Sequence, residues 1–212
     1  MAISYNILDL GKVGYHEAWE IQKKLQSKRI QGQINDQFLL VEHPPVYTIG
    51  KNAPLDDLLI KDVDDILIVQ TDRGGKITFH GPGQVVGYPI IDLNNHKRSV
   101  SWYMRELEQL IMNVLSDYNI RSQRKKGLTG IWVDDKKIAA LGVRISRWVT
   151  MHGFSLNINP DLSYYKGIVP CGITDFGVTS MAEILGKKCP KISDIKLKII
   201  KYFTSQFSIG EN

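Results

Sequence analysis

The chain carries only two cysteines in 212 residues, Cys171 and Cys189. That is too few for a disulfide scaffold or a four-thiolate zinc site. No apolar run approaches the roughly 20 residues needed to cross a bilayer, so no membrane is expected. The opening MAISYNILDLGK has neither a basic nor an apolar leader segment, so no secretory signal is expected and a cytoplasmic setting fits. Repeats, low-complexity tracts and Gly/Ser-rich linkers are also missing, so a single domain over residues 1–212 is expected. Hydrophobic residues at 43% and charged residues at 23% exclude a disordered or fibrous chain.

The net charge of +5 is unevenly placed: residues 1–100 hold 11 basic against 12 acidic side chains, and residues 101–212 hold 16 against 10. The excess lies in residues 121–147 and 187–201. A basic stretch is either a solvated surface or a landing site for an acidic partner. Neither stretch interleaves aromatics for base stacking, so nucleic acid is not expected.

Apolar spacing predicts helices over residues 15–29 (Tyr15, Ala18, Ile21 and Leu25 on one stripe), 100–118 and 195–207, with Ser99 or Ser101 capping the second. Short β-rich runs fall at 38–42, 66–71, 76–79, 85–92, 130–133, 137–145 and 154–158, with Asp134 and Asp135 as a hairpin turn. Strands in adjacent pairs argue for an α+β domain with a mixed sheet rather than a regular βαβ alternation.

Three segments carry candidate chemistry. RGGKITFHGPGQ (73–84) packs four glycines and a proline into twelve residues; it is a tight edge turn, or a place where backbone N–H groups approach a ligand. It matches neither a P-loop nor a GxGxxG turn. In KIAALGVR (137–144) Lys137 opens a run of small and apolar residues. It is a solvated hairpin lysine like Lys136, or a base held in an apolar place, where an ammonium gives up its proton more readily. In IVPCG (168–172) Cys171 lies between Pro170 and Gly172, a loop placement that favours an exposed thiol over a core one. Cys189 reads as incidental. His43, His80 and His152 match no zinc spacing, so no metal is expected.

Together with EHPPVYTIG (42–50), TGIW (129–132) and HGFSLN (152–157), these segments occur in an order that resembles the lipoyl(octanoyl) transferase family. The resemblance runs over about residues 38–185, within a catalytic core of about 30–212. It implies a biotin/lipoate protein ligase-like domain: a mixed β-sheet flanked by helices, with a smaller second sheet. It implies transfer of octanoyl from octanoyl-acyl carrier protein to a lysine of lipoyl domains, in 2-oxoacid dehydrogenase complexes and glycine cleavage H protein, with no cofactor. Cys171 would be the acyl-accepting nucleophile and Lys137 its acid/base. Arg73, Gly74, Gly75, Thr78, His80, Gly81, Ala140, Leu141, Gly142, His152 and Gly153 would bind substrate. Gly74, Gly75 or Gly172 would supply oxyanion N–H donors. The run 138–143 would wall the acyl slot, and enlarging Gly142 would shorten it. The alternatives are an ATP-dependent lipoate ligase on the same fold, or a non-catalytic module that binds through its basic face.

Overall fold

The computed structural model describes residues 5–54, 58–59, 66–168 and 177–207. Helical periodicity is realised at three places: α1 (Tyr15–Ile30), α2 (Val100–Ser116) and, beyond the short α3 (Met181–Leu185), α4 (Ile192–Phe207). Ser99 caps α2 by accepting the Trp102 N–H at 3.2 Å. No helix among the described residues is long and apolar enough to cross a membrane.

The strands are β1 (Tyr5–Lys12), β2 (Asp36–Glu42), β3 (Val46–Ile49), β4 (Leu67–Gln70), β5 (Ile77–His80), β6 (Gln84–Ile90), β7 (Gln123–Lys125), β8 (Leu128–Val133), β9 (Lys136–Ser146), β10 (Val149–Asn157) and β11 (Gly177–Val178). The main sheet runs β1-β2-β6-β10-β9-β8-β7, with β11 also paired to β9. It is mixed: β1 lies parallel to β2 and β11 to β9, while the other pairs are antiparallel. A second sheet, β4-β3-β5, encloses its own core of Tyr47, Ile49, Ile77 and Phe79. This is the expected α+β fold with a main and a smaller sheet.

Strand alternation sends the two faces of the main sheet to different layers. Phe38, Leu40, Val85 and Leu156 join α2 and α4 in one core cluster, whereas Leu39, Val41, Val86 and Tyr88 meet Ala18 of α1 in another. The α1 stripe differs from expectation. Its buried positions are Tyr15, Ala18, Gln22 and Gln26, and Ile21 and Leu25 are only partly covered. The reason lies in β10. Continuing the Phe154↔Gly87 register brings His152 opposite Pro89, whose carbonyl already accepts from the Thr150 hydroxyl at 2.7 Å. His152 turns to φ +59, and its N–H goes instead to Gln22 Oε1 at 2.9 Å. Gln26 similarly donates to the Val149 carbonyl at 2.9 Å. Burying two amides there satisfies backbone groups that an aliphatic pair would leave orphaned.

Four strands had no counterpart in the sequence reading as strands: β1, β3, β7 and β11. The predicted strand over 154–158 begins at Val149.

Candidate active site

A cavity of about 340 Å³ opens on the α1 side of the main sheet, between β8, β9, β10, β6 and the 73–80 segment. Its rim is exposed at Asn52, Gly75, Gly127 and Thr129, and its inner end is buried at Tyr15, Val86 and Tyr88. Of the residues expected from the sequence, Lys137, Arg73, Gly75, Thr78, His80, Ala140, Leu141, Gly142, His152 and Gly153 line it. Gly74 and Gly81 stand behind that wall: Gly74 donates its N–H to Val143 O at 2.9 Å, and Gly81 lies over the Phe79 ring. The Gly74 N–H is therefore engaged and is not a free oxyanion donor. Cys171, with Pro170 and Gly172, lies outside the described residues.

Lys137 reaches the cavity through an irregularity in β9. Ile131 of β8 pairs with Ala139, but Trp132 pairs with Lys137, so β9 holds one extra residue, Ile138. Ile138 and Ala139 both enter the core cluster on the α2 side, and Lys137 joins Ala140 and Gly142 at the cavity. Bulges of this kind re-aim side chains beside active sites. Lys137 is only 7% exposed, while Lys136 is exposed. The Lys137 ammonium lies 4.7 Å from the centre of the Trp132 ring, a cation–π contact.

The opposite wall is the RGG turn. A Cβ on Gly142 would stand 2.7 Å from the Gly74 carbonyl and 3.2 Å from Arg73 Cδ, so the turn and β9 touch only because residue 142 is glycine. The buried Arg73 guanidinium donates to Thr48 O at 2.6 Å, Thr48 Oγ1 at 2.8 Å and Gly74 O at 3.1 Å.

At the cavity wall (His80 and His152) and behind it (His43), burial disfavours the charged form of the histidines. His80 Nδ1–H donates to Gln84 Oε1 at 2.7 Å and Nε2 faces Thr48 Oγ1 at 3.3 Å. Burial, then the neighbouring His43, pushes its pKa down to about 3. The network continues in one direction: Gln84 Nε2 donates to Asn157 Oδ1 (2.8 Å), Asn157 Nδ2 to Thr179 O (2.9 Å), and Thr179 N to Lys137 O (2.9 Å). The HGPGQ and HGFSLN segments thus buttress the strand that carries Lys137. His43 donates from Nδ1 to Val13 O at 2.7 Å and accepts from Tyr88 OH at 2.8 Å, and burial lowers its pKa to about 4. His152 also titrates below its ordinary value because it is buried, which outweighs Asp72. Its Nε2 lies 2.7 Å from Asp72 Oδ1, within hydrogen-bond distance. For Asp72, burial opposes ionisation, but the His152 bond and Arg144 at 3.0 Å bring its pKa below the ordinary carboxylate value.

Cys189 sits apart, packed against the α2-side core, and burial raises its thiol pKa, the opposite of what a nucleophile requires. The sequence reading missed Tyr15, Val86, Tyr88 and Thr129 as cavity residues. Only Thr129 stood in a singled-out motif; the others read simply as apolar core positions.

A mixed sheet flanked by helices, with a small companion sheet, is the fold shared by lipoate and biotin protein ligases. A putative lipoate protein ligase from Thermoplasma acidophilum superposes with a TM-score of 0.80 at 12% identity, covering 99% of this chain and 88% of that one. Biotin protein ligase from Aquifex aeolicus gives 0.55 at 13% identity, covering 97% and 69%. The Lipoyl protein ligase A/B catalytic domain family matches residues 14–204, and the chain belongs to it. Its relatives include the octanoyltransferase of Gloeobacter violaceus, 46% identical over 88% of this chain and 82% of the relative. That of Christiangramia forsetii is 40% identical over 95% and 94%. The protein is an acyltransferase.

Proposed function

We propose that the protein acts as one domain in the cytoplasm to move an octanoyl group from octanoyl-acyl carrier protein to a lysine amine of lipoyl domains, through a thioester on Cys171. The acceptors are the lipoyl domains of 2-oxoacid dehydrogenase complexes and the glycine cleavage H protein. The observation that carries this reading is Lys137: an almost fully buried lysine turned by a bulge onto an acyl-sized cavity.

In the first half-reaction the Cys171 thiolate attacks the donor thioester, a C–S bond forms on Cys171, the carrier C–S bond breaks, and the carrier sulfur leaves as a thiol with the proton of the Lys137 ammonium. An adjacent ammonium favours the thiolate, and exchange between two thioesters costs little free energy. In the second, the acceptor amine attacks the Cys171 carbonyl, an amide forms, and Cys171 departs as thiolate. Lys137, having given its proton to the carrier sulfur, takes the proton lost by the amine. The thioester carries the activation, so ATP has no part in the scheme. Arg73, Gly75, Thr78, His80, Ala140, Leu141, Gly142, His152 and Gly153 shape the slot, with Gly74 and Gly81 supporting it from behind. The basic residues in 121–147 steer an acidic partner.

Intact-mass spectrometry after mixing with octanoyl-acyl carrier protein tests the reading. One octanoyl adduct is expected on the wild type and on Cys189→Ala, and none on Cys171→Ala. Transfer to a lipoyl domain by folded Cys171→Ala overturns the covalent route. Labelling from free octanoate and ATP in place of the carrier thioester overturns it in favour of a ligase.

A further inference from the structure

We propose that Tyr15 is the end stop that sets the length of the acyl chain, a role that rests on the acyl-transfer reading above. The cavity runs across the strands, from the exposed rim at Thr129 on β8, past the buried Lys137 on β9 and past β10, to Val86 and Tyr88 on β6. Three inter-strand spacings of about 4.8 Å make roughly 14 Å. An eight-carbon acyl chain, built of bonds of about 1.5 Å, extends to about 9 Å. With its carbonyl near Lys137 it ends under α1, where the cavity is buried.

Tyr15 closes that end from above. Its ring is 2% exposed and boxed by three others: His43 at 5.3 Å, His80 stacked at 6.1 Å with 12° between planes, and Trp19 at 6.2 Å. Tyr88 beneath is equally fixed, because its hydroxyl is committed to His43, which is itself tied to Val13 O. A length gauge has to be rigid, and these rings have no free rotamer to yield. Behind Tyr15 lie Val46 and Val69, packed with it in a small cluster of their own. Shortening the Tyr15 side chain thus lengthens the slot into further apolar space. Neither ring carries a proton in the chemistry; burial pushes the Tyr15 phenol pKa up to about 12.

The test is a chain-length profile of kcat/KM with hexanoyl, octanoyl, decanoyl and dodecanoyl carrier thioesters. Burying one methylene contributes about 0.8 kcal/mol, about fourfold, so two added carbons in a newly opened slot are worth about fifteenfold. Tyr15→Ala and Tyr15→Leu are expected to move the optimum from octanoyl to decanoyl or longer, by at least that factor in the decanoyl/octanoyl ratio. Tyr15→Phe keeps the ring and is expected to retain the wild-type profile. Thermal melts confirm folding; Tyr15→Leu, which preserves apolar bulk beside Val46 and Val69, carries the test if Tyr15→Ala unfolds. A folded Tyr15→Leu that transfers octanoyl with an unchanged ratio overturns the end stop and leaves the transferase reading intact. A wild type that transfers no acyl group from any of the thioesters overturns the transferase reading itself.

Discussion

The side chain of Lys137 runs along Gly130, so closely that a Cβ at residue 130 would stand 3.1 Å from Lys137 Cε and 2.7 Å from the Ala139 carbonyl. Gly130 also has φ +122, a conformation closed to other residues. The TGIW segment therefore gives the lysine its channel, beside the bulge at Ile138 that aims it.

Gly130→Ala should displace Lys137 and strain the backbone together. A stability loss of about 1–3 kcal/mol is expected from the dihedral alone, with kcat for octanoyl transfer down by about tenfold or more. Denaturant unfolding and steady-state kinetics check the two parts. Wild-type turnover in Gly130→Ala would show that the lysine needs no such channel.

Lys137 and Lys136 are adjacent cations with opposite surroundings, which makes a paired test. Lys137→Arg keeps the charge but removes a removable proton, since a guanidinium does not deprotonate in proteins. It should still acquire octanoyl on Cys171 yet fail to pass it to a lipoyl domain, whereas Lys137→Met should also slow thiol alkylation at pH 7. Lys136→Met should turn over normally. Wild-type transfer by Lys137→Arg would move the base role elsewhere.

Gly142 offers a discriminating case. The sequence reading made it a wall whose enlargement shortens the preferred chain. Its missing Cβ faces Gly74 and Arg73 rather than open slot, so Gly142→Val should push the RGG turn away. Transfer should then fall for all chain lengths alike, with little change in their ratios. A selective loss of octanoyl against hexanoyl transfer would restore the earlier reading.

Stability should fall with acid. His43 and His80 titrate at about 4 and about 3 when folded, against 6.5 ordinarily. The unfolded chain thus binds more protons between pH 6.5 and 4, and stability rises with pH across that window. Each such proton steepens the dependence by RT ln 10 per pH unit. Denaturant midpoints at pH 7, 6 and 5 should decline, and His43→Asn should show a slope shallower by one proton. An identical slope in the variant would mean that His43 is charged in the folded protein.

Much of the framework is legible along the chain. Periods of 3.6 located α1, α2 and α4, because each helix has one face to bury. The Asp134-Asp135 turn joins β8 to β9 as expected, with Asp134 at φ +49. β1 escaped notice because it is a sheet-edge strand with no fully buried position. Gln22 and Gln26 are invisible to hydropathy, since what buries them is the unpaired backbone of β10.

What the sequence by itself determined is the set of chemical parts: the glycine-dense turn, a lysine before a small apolar run, a cysteine between proline and glycine, and the order that marks the family. Local residue type and spacing suffice for those. The tertiary structure alone decided which parts meet. Strict alternation would put Lys137 on the face of Ala139 and Leu141, and one extra residue in β9 reverses it. Tyr15, some 120 residues from Lys137, reaches the same cavity because α1 packs across β6 and β10. Such choices depend on strand register and on contacts between distant segments, which no local pattern encodes.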